Sequence, residues 1–280
     1  MKDADITLGI IGGKGKMGSL FAGVFRPYVK DVFISDVDGP LSKQELVRLS
    51  QVIIITVPIH ATGEVIAEIL PFLQKEQLLM DLTSLKKEPC RAMAGGKASV
   101  IGLHPLFGPN VPSLQGQTVA LCPVREGDWR PWLEKVLSSA GFRIFEVKPE
   151  KHDELMAVMQ SLAHFIAMAL ARTLQKRSIH PGSIVHFSTP VFQMLLYLTG
   201  RILHQSAELY QDIQMENPMF PEILTAFEEA AAQLKEIDLK KDTKAFQRLY
   251  AELGDFFGEF KKEGHELTTK FIQEINKEAT

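Results

Sequence analysis

The sequence predicts an α/β fold, a mainly parallel β-sheet buried on both faces, followed by an all-helical segment. Three observations carry this. Over residues 1–150, seven short runs rich in β-branched residues alternate with helical patterns, the mark of strands joined by crossover helices. From 151 to 280 no strand-like run of comparable strength occurs. With 280 residues, 45% of them hydrophobic and 23% charged, the chain has enough apolar surface for two soluble domains and is too apolar for a disordered chain.

The strand-like runs are Ile6–Gly12, Val32–Asp36, Val52–Val57, Leu78–Leu82, Ser99–Leu103, Val119–Cys122 and Arg143–Val147. A helical pattern opens at Gly18 and reaches Phe25. Beyond Pro149, residues 151–177 read as one long helix, Ser178–Pro190 as a loop holding Pro181 and Gly182, and residues 191–216 as helix again. A break at Asn217–Pro221 precedes further helix to the end. The expected domains are therefore 1–150 and 151–280. Within the long helix, Leu155–Ala171 is apolar enough to raise the question of a membrane. A span needs about 20 apolar residues, and Gln160, Ser161 and His164 sit near the middle of these 17. A helix buried in a core or at a subunit interface is the expectation.

A net charge of −3 argues against a protein that coats nucleic acid or lies on a membrane surface, since both need a basic surplus. Two cysteines, Cys90 and Cys122, exclude a disulfide framework or a four-cysteine zinc site. The eight histidines show no zinc-like spacing, so no metal is expected. The first residues, MKDADITLG, carry two aspartates where a secretory signal would be basic and then apolar, so the expected location is cytoplasmic.

Gly13-Lys14-Gly15-Lys16-Met17-Gly18 follows the first strand run and opens the first helical pattern. In such a G-x-G-x-x-G turn the first glycine allows a tight turn and the second lets a pyrophosphate approach the backbone. The third lets helix and strand pack closely, and the helix N-terminus faces the negative charge. Gly13, Gly15, Lys16, Met17 and Gly18 are the expected contacts, with the ammonium groups of Lys14 and Lys16 solvated. Asp36 ends the second strand, 18 residues beyond Gly18. A carboxylate there accepts hydrogen bonds from ribose hydroxyls and repels a 2′-phosphate. The first domain is thus Rossmann-type, with NAD as the expected cofactor. Val57, Pro58 and Ile59 end another strand, where ligands bind in such sheets. His60 beside them reads equally well as part of a plain turn.

His104 follows the apolar run SVIGL and precedes Pro105, which holds it extended. With an unperturbed pKa of about 6.5, a histidine at a strand's carboxyl end suits a catalytic base. Ser84 ends the neighbouring strand and is placed to orient that imidazole or touch substrate. Gln160 and His164, four residues apart on the long helix, share one face and need partners if buried. Arg201 lies on a helical stretch with few charges. A buried arginine is rare unless paired, and its fork of donors suits a substrate carboxylate. Asp212 is the alternative partner.

Gly13–Gly18, VPIHAT (Val57–Thr62), DLTSLK (Asp81–Lys86), GLHPLFGP (Gly102–Pro109), HDELMAVMQSLAHF (His152–Phe165) and GRIL…LYQDI (Gly200–Ile213) together resemble the prephenate dehydrogenase family. The resemblance runs from about residue 6 to about 265 and is closest to the dehydrogenase part of the bifunctional chorismate mutase–prephenate dehydrogenases. It implies NAD-dependent oxidative decarboxylation of prephenate to 4-hydroxyphenylpyruvate in tyrosine biosynthesis. It also implies a helical domain that forms a homodimer. In the family pattern His104 polarises or deprotonates the ring hydroxyl and Ser84 assists. Arg201 holds a substrate carboxylate and His164 lines the pocket. The 280 residues are expected to hold neither a mutase nor a regulatory appendage, and Gln193 stands where those relatives carry an arginine. Arogenate bears an ammonium group that an acid would recognise. The helix offers Gln160 instead, so prephenate is the expected substrate. The rival expectations are arogenate dehydrogenase, another dehydrogenase of Rossmann-plus-helical build, and a redox-sensing regulator that binds NAD(H) without turnover. Other dehydrogenases of Rossmann-plus-helical build usually carry a lysine or other acid–base group on the long helix, where this chain has Gln160 and His164. A regulator has no need of His104, Ser84 and Arg201 together.

Overall fold

The structure, a computed structural model, describes residues 5–278. Its seven strands are β1 (Thr7–Ile11), β2 (Asp31–Ser35), β3 (Val52–Ile55), β4 (Leu78–Asp81), β5 (Ser99–Pro105), β6 (Thr118–Arg125) and β7 (Arg143–Glu146). They form one sheet in the order β2-β1-β3-β4-β5-β6-β7. The first five strands are mutually parallel, β6 runs antiparallel to β5, and β7 is parallel to β6. The predicted α/β class, with its Rossmann-type sheet and helical sequel, is what the chain adopts.

The sheet is buried on both faces because alternate side chains of a strand point to opposite sides. In β3, Val52 and Ile54 enter one core and Ile53 and Ile55 the other. Helices α1 (Lys16–Phe25) and α5 (Arg130–Ser139) cover the first core with Phe21, Phe25, Leu133 and Val136. Helices α2 (Lys43–Leu49), α3 (Ile59–Ile69) and α4 (Lys87–Met93) cover the second with Leu46, Val65, Ile66 and Met93. Each such aliphatic or aromatic side chain contributes about 1.5–3 kcal/mol when fully buried. Cys90 and Cys122 are free thiols in the second core. Burial pushes both thiol pKa values up, that of Cys122 to about 12, so neither is a nucleophile at neutral pH.

The long predicted helix is α6 (Pro149–Met156), a π-helical turn (Ala157–Leu162) and α7 (Ala163–Lys176) in succession. The expected loop contains a short helix, α8 (Pro181–Ile184), and one 3₁₀ turn. Then follow α9 (Pro190–Leu203), α10 (Ala207–Met215), α11 (Phe220–Lys240), α12 (Thr243–Phe257) and α13 (Phe260–Glu278). By compactness the chain forms two units. One runs up to Ser161 and takes in Glu208–Met219, and the other holds Leu162–Ala207 and the helices from Phe220 onward. Residues 151–161 and 208–219, which the composition groups with the helices, thus belong with the sheet.

The stretch Pro149–Lys176 is long and apolar enough to cross a membrane, and few of its residues are buried. The chain's own core therefore does not bury this helix on most faces, so of the two expectations burial in a domain core is not met within this chain. The helical unit exposes further apolar stripes at helical spacing. On α12 these are Phe246, Tyr250, Leu253 and Phe257, and on α9 Val191, Leu195 and Leu198.

Candidate active site

Two clusters form at the carboxyl ends of the strands, both within the sheet-containing unit. The first surrounds the switch in strand order at β1. Gly12 makes the tight turn, with φ of +81°, a conformation that costs a side chain dearly. The turn was expected at Gly13. That glycine is required instead because a β-carbon there meets Ile34 Cγ2 at 2.8 Å. Gly18 fills its expected role, since a β-carbon there falls 2.6 Å from the Gly12 carbonyl oxygen and 2.8 Å from Gly13 Cα. Gly15 caps α1 without a side-chain hydrogen bond, so the helix's first N–H groups stay open to an anion. Lys16 is solvated in the first turn of α1, and Met17 turns toward the core.

Asp36 follows β2 directly. Its Oδ2 accepts the Lys14 N–H at 2.9 Å and its Oδ1 the Val37 N–H at 2.9 Å. Each oxygen keeps lone-pair capacity for a further donor. A cavity of about 510 Å³ opens beside it, lined by Ile11, Gly12, Asp36, Val57, Pro58 and Ala61. Ile59 starts α3 and is not part of that lining. Of the glycine turn only Gly12 lines this cavity, with Asp36, and the uncapped start of α1 follows that turn; a glycine turn, an open helix end and a carboxylate in this order fit a dinucleotide. His60, in the first turn of α3, points its Nδ1 at Asp212 Oδ2, 2.8 Å away, and its backbone N–H donates to the same oxygen. Asp212 raises the His60 pKa through that hydrogen bond. The carboxylate suggested as a partner for Arg201 is therefore taken by His60.

The second cluster is built on β4 and β5. His104, the sixth residue of β5, is 2% exposed. Its Nδ1 lies 2.9 Å from His152 Nε2, and His152 Nδ1 lies 2.8 Å from Asp153 Oδ1. Asp153 also accepts the backbone N–H of Lys86 at 2.8 Å and of Lys87 at 2.9 Å. Asn217 Nδ2 donates to the Asp153 carbonyl at 3.0 Å. Below them, the fully buried Lys86 ammonium donates to Asp81 Oδ2 and, at 2.8 Å, to the Leu103 carbonyl. Burial, then the neighbouring His152, then Lys86, hold the His104 pKa well below the ordinary histidine value. Burial also lowers that of His152, against the pull of Asp153. Both imidazoles are neutral at pH 7.

Gln160 presents its amide Nε2 3.4 Å from His104 Nε2, while its Oε1 is buried without a partner. The π-helical turn carries Gln160, and single π turns recur at functional sites. Gln160 sits in the π turn and His164 in α7. Ser84, half-buried just past β4, makes no hydrogen bond with the imidazole. His152 holds that ring instead. The sequence offered one signal for this missed residue, the adjacent His152-Asp153 pair at the start of a helix.

In the helical unit, burial pushes the His164 pKa down to about 4, so the ring is neutral and serves for hydrogen bonding. Arg201 lies near the end of α9 and is exposed, contrary to the burial expected from its apolar neighbours. Gln193 donates to the Val185 carbonyl at 2.9 Å, a structural tie within the unit. Among the described residues no group of three His, Cys, Asp or Glu side chains is placed to hold a metal ion.

Residues 34–143 match the family described as prephenate dehydrogenase, nucleotide-binding domain, and residues 148–252 match prephenate dehydrogenase, dimerization domain. The first match begins in β2, so the glycine turn lies outside it. The "Probable arogenate/prephenate dehydrogenase" of Methanocaldococcus jannaschii is 32% identical over 99% of this chain and 67% of its own length. The T-protein of Haemophilus influenzae is 33% identical over 92% of this chain and 70% of its own. Among solved structures, the prephenate dehydrogenase of A. aeolicus, in complex with hydroxyphenyl propionate and NAD+, has the same fold. It superposes with a TM-score of 0.71 at 21% identity, covering 94% of this chain and 98% of that one. A Rossmann-type sheet, a buried histidine at a strand end, and both domain matches in order lead to one assignment: the chain belongs to the prephenate dehydrogenase family.

Proposed function

We propose that this chain is an NAD-dependent prephenate dehydrogenase, converting prephenate to 4-hydroxyphenylpyruvate and carbon dioxide. The observation that supports this best is His104, buried and neutral at the carboxyl end of β5, with Nε2 turned away from its histidine partner. When bound, NAD supplies the hydride acceptor. His104 Nε2 takes the proton of the ring hydroxyl as the C–H bond on the same carbon breaks, the work of a positioned general base. Departure of the ring carboxylate then leaves an aromatic ring, so the protein's remaining task is positioning. Ser84, just past β4, is assigned a hydrogen bond to the hydroxyl. Arg201 and His164, in the helical unit, are assigned to substrate on the family resemblance, with Arg201 pairing with a carboxylate.

Prephenate is preferred over arogenate because the polar group beside His104 is the Gln160 amide and not a carboxylate. A carboxylate is what an ammonium-bearing substrate calls for. NADH formation measured with prephenate and arogenate side by side tests this, and comparable turnover of the two refutes it. Arg201→Ala is expected to raise the Michaelis constant for prephenate, by an amount equivalent to roughly 2–5 kcal/mol if bound substrate desolvates this exposed guanidinium. An unchanged constant removes Arg201 from the site.

Asp36 supports NAD over NADP, since its remaining lone pairs suit two ribose hydroxyls and its charge opposes a 2′-phosphate. Asp36→Ala is expected to weaken NAD by about 10–100-fold, as for one lost hydrogen bond to a charged group, and to narrow the NAD/NADP ratio. Steady-state kinetics with both cofactors check this. The exposed apolar stripes of the helical unit and its match to a dimerization domain support a homodimer, because patches of this kind mark interfaces. Membrane and nucleic acid have no part in this reading, and a cytoplasmic location follows from the biosynthetic role.

A further inference from the structure

We infer that Asp153 and His152 act as a relay that fixes the tautomer of His104, keeping its proton on Nδ1 and leaving Nε2 bare toward the substrate hydroxyl. The inference deepens the proposed function and rests on His104 being the base.

The chain of donors and acceptors leaves one consistent assignment. The Asp153 carboxylate accepts two backbone N–H groups, from Lys86 and Lys87, and so is fixed as an acceptor at a set angle. His152 Nδ1, 2.8 Å from Asp153 Oδ1, must then carry a hydrogen and donate. In a neutral imidazole the other nitrogen is an acceptor, so His152 Nε2 has a lone pair. His104 Nδ1, 2.9 Å away, must donate to it. The remaining nitrogen, His104 Nε2, carries no hydrogen and can take one. The Gln160 amide nitrogen lies 3.4 Å from His104 Nε2, a contact that this assignment allows.

The relay is held at both ends by the segment that follows β4. The backbone of Lys86 grips Asp153, while the side chain of Lys86 is tied to the Leu103 carbonyl, one residue before His104. His152 and Asp153 are both 1% exposed, so water does not compete for these hydrogen bonds. When His104 Nε2 takes the hydroxyl proton, the imidazolium formed already donates through Nδ1 to His152. Its charge is spread toward the Asp153 carboxylate without a rearrangement. His152 and Asp153 are positioning residues, acting through His104.

The test reads the tautomer directly and needs no substrate. In the full chain labelled with ¹⁵N-histidine, with His104 assigned by comparison with the His104→Asn spectrum, the wild type is expected to show His104 protonated on Nδ1 and bare on Nε2 at pH 7. Asp153 Oδ1 accepts both the Lys86 N–H and the His152 Nδ1 hydrogen, so an asparagine oxygen at that place would keep the wild-type arrangement. Asp153→Leu removes every acceptor facing His152 Nδ1. The His152 hydrogen is then no longer held on Nδ1, and His104 is expected to populate the form protonated on Nε2. Turnover should fall by on the order of 10²–10⁴-fold with NAD affinity unchanged, as when the orienting aspartate of a catalytic histidine is replaced. A wild-type His104 protonated on Nε2, or an Asp153→Leu spectrum like wild type, overturns the relay.

A second pair guards against an unfolded Asp153→Leu. His152→Gln keeps an oxygen that accepts from His104 Nδ1, and His152→Met has similar bulk without one. Turnover by His152→Gln should exceed that by His152→Met by roughly 10-fold or more, as expected for a hydrogen bond to a charge-bearing group. Equal turnover by the two refutes the relay. Should the wild type not oxidise prephenate at all, the proposed substrate fails while the tautomer measurement still decides the relay.

Discussion

Replacing His104 by alanine is expected to lower turnover of prephenate by roughly 10²–10⁴-fold, the usual worth of a positioned acid–base group, with little change in NAD affinity. The separation of effects follows from geometry. His104 belongs to β5, whereas the cofactor cavity is walled by the ends of β1 and β2 and the residues after β3. Near-normal turnover in this variant removes His104 from the mechanism. The pH profile gives a second check. A base works only when unprotonated, so activity falls as pH drops through its pKa. Burial, with His152 and Lys86 nearby, holds the His104 pKa well below the ordinary value. The acidic limb of kcat/KM is therefore expected clearly below about 6.5. A limb centred at or above that value means that another group controls the reaction.

Lys86→Met is expected to destabilise the protein by about 3–5 kcal/mol, because it leaves the Asp81 carboxylate buried without its counter-charge. Asp81 is fully buried, and one of its oxygens has no hydrogen-bond partner even in the intact pair. Thr83, through its N–H and hydroxyl, is the other donor near the carboxylate. The loss is a large part of a typical domain's total stability of about 5–15 kcal/mol. Urea unfolding should show it as a lower midpoint at unchanged slope. Removing both charges, as in Lys86→Met combined with Asp81→Leu, should recover much of the loss, since an apolar pair often replaces a buried ion pair without cost. A single variant as stable as wild type contradicts the description of Lys86 as a buried, paired ammonium.

What the sequence made legible divides along physical lines. The strands were visible because a two-faced sheet forces continuous apolar runs such as VIII in β3. The cradle was visible because close backbone packing at Gly18 admits one residue type. His104 was visible because a polar residue ending an apolar strand stands out locally. Contacts formed over long separations had no such local signature. His152 meets His104 from 48 residues away, and Asp212 meets His60 from 152 away. The adjacent His152-Asp153 pair hints at the first, and nothing near His60 or Asp212 announces the second. Arg201 was misjudged because its apolar neighbours on α9 were assumed to be buried, and in this chain several of them are exposed. The π turn was invisible because its sequence, AVMQSL, satisfies an α-helical pattern equally well.

The depth of His104 also bears on how the reaction meets the solvent. In the proposed reaction prephenate, a dianion, and NAD+ enter with a total charge of −1, leaving out the pyrophosphate charge common to both sides, and 4-hydroxyphenylpyruvate, carbon dioxide and NADH leave with the same total. The hydroxyl proton lent to His104 thus returns to the same oxygen once the ring becomes aromatic, and none is released. A base that is 2% exposed needs no wire of waters to the surface. Sealing it from bulk water costs the cycle nothing and keeps the borrowed proton from straying.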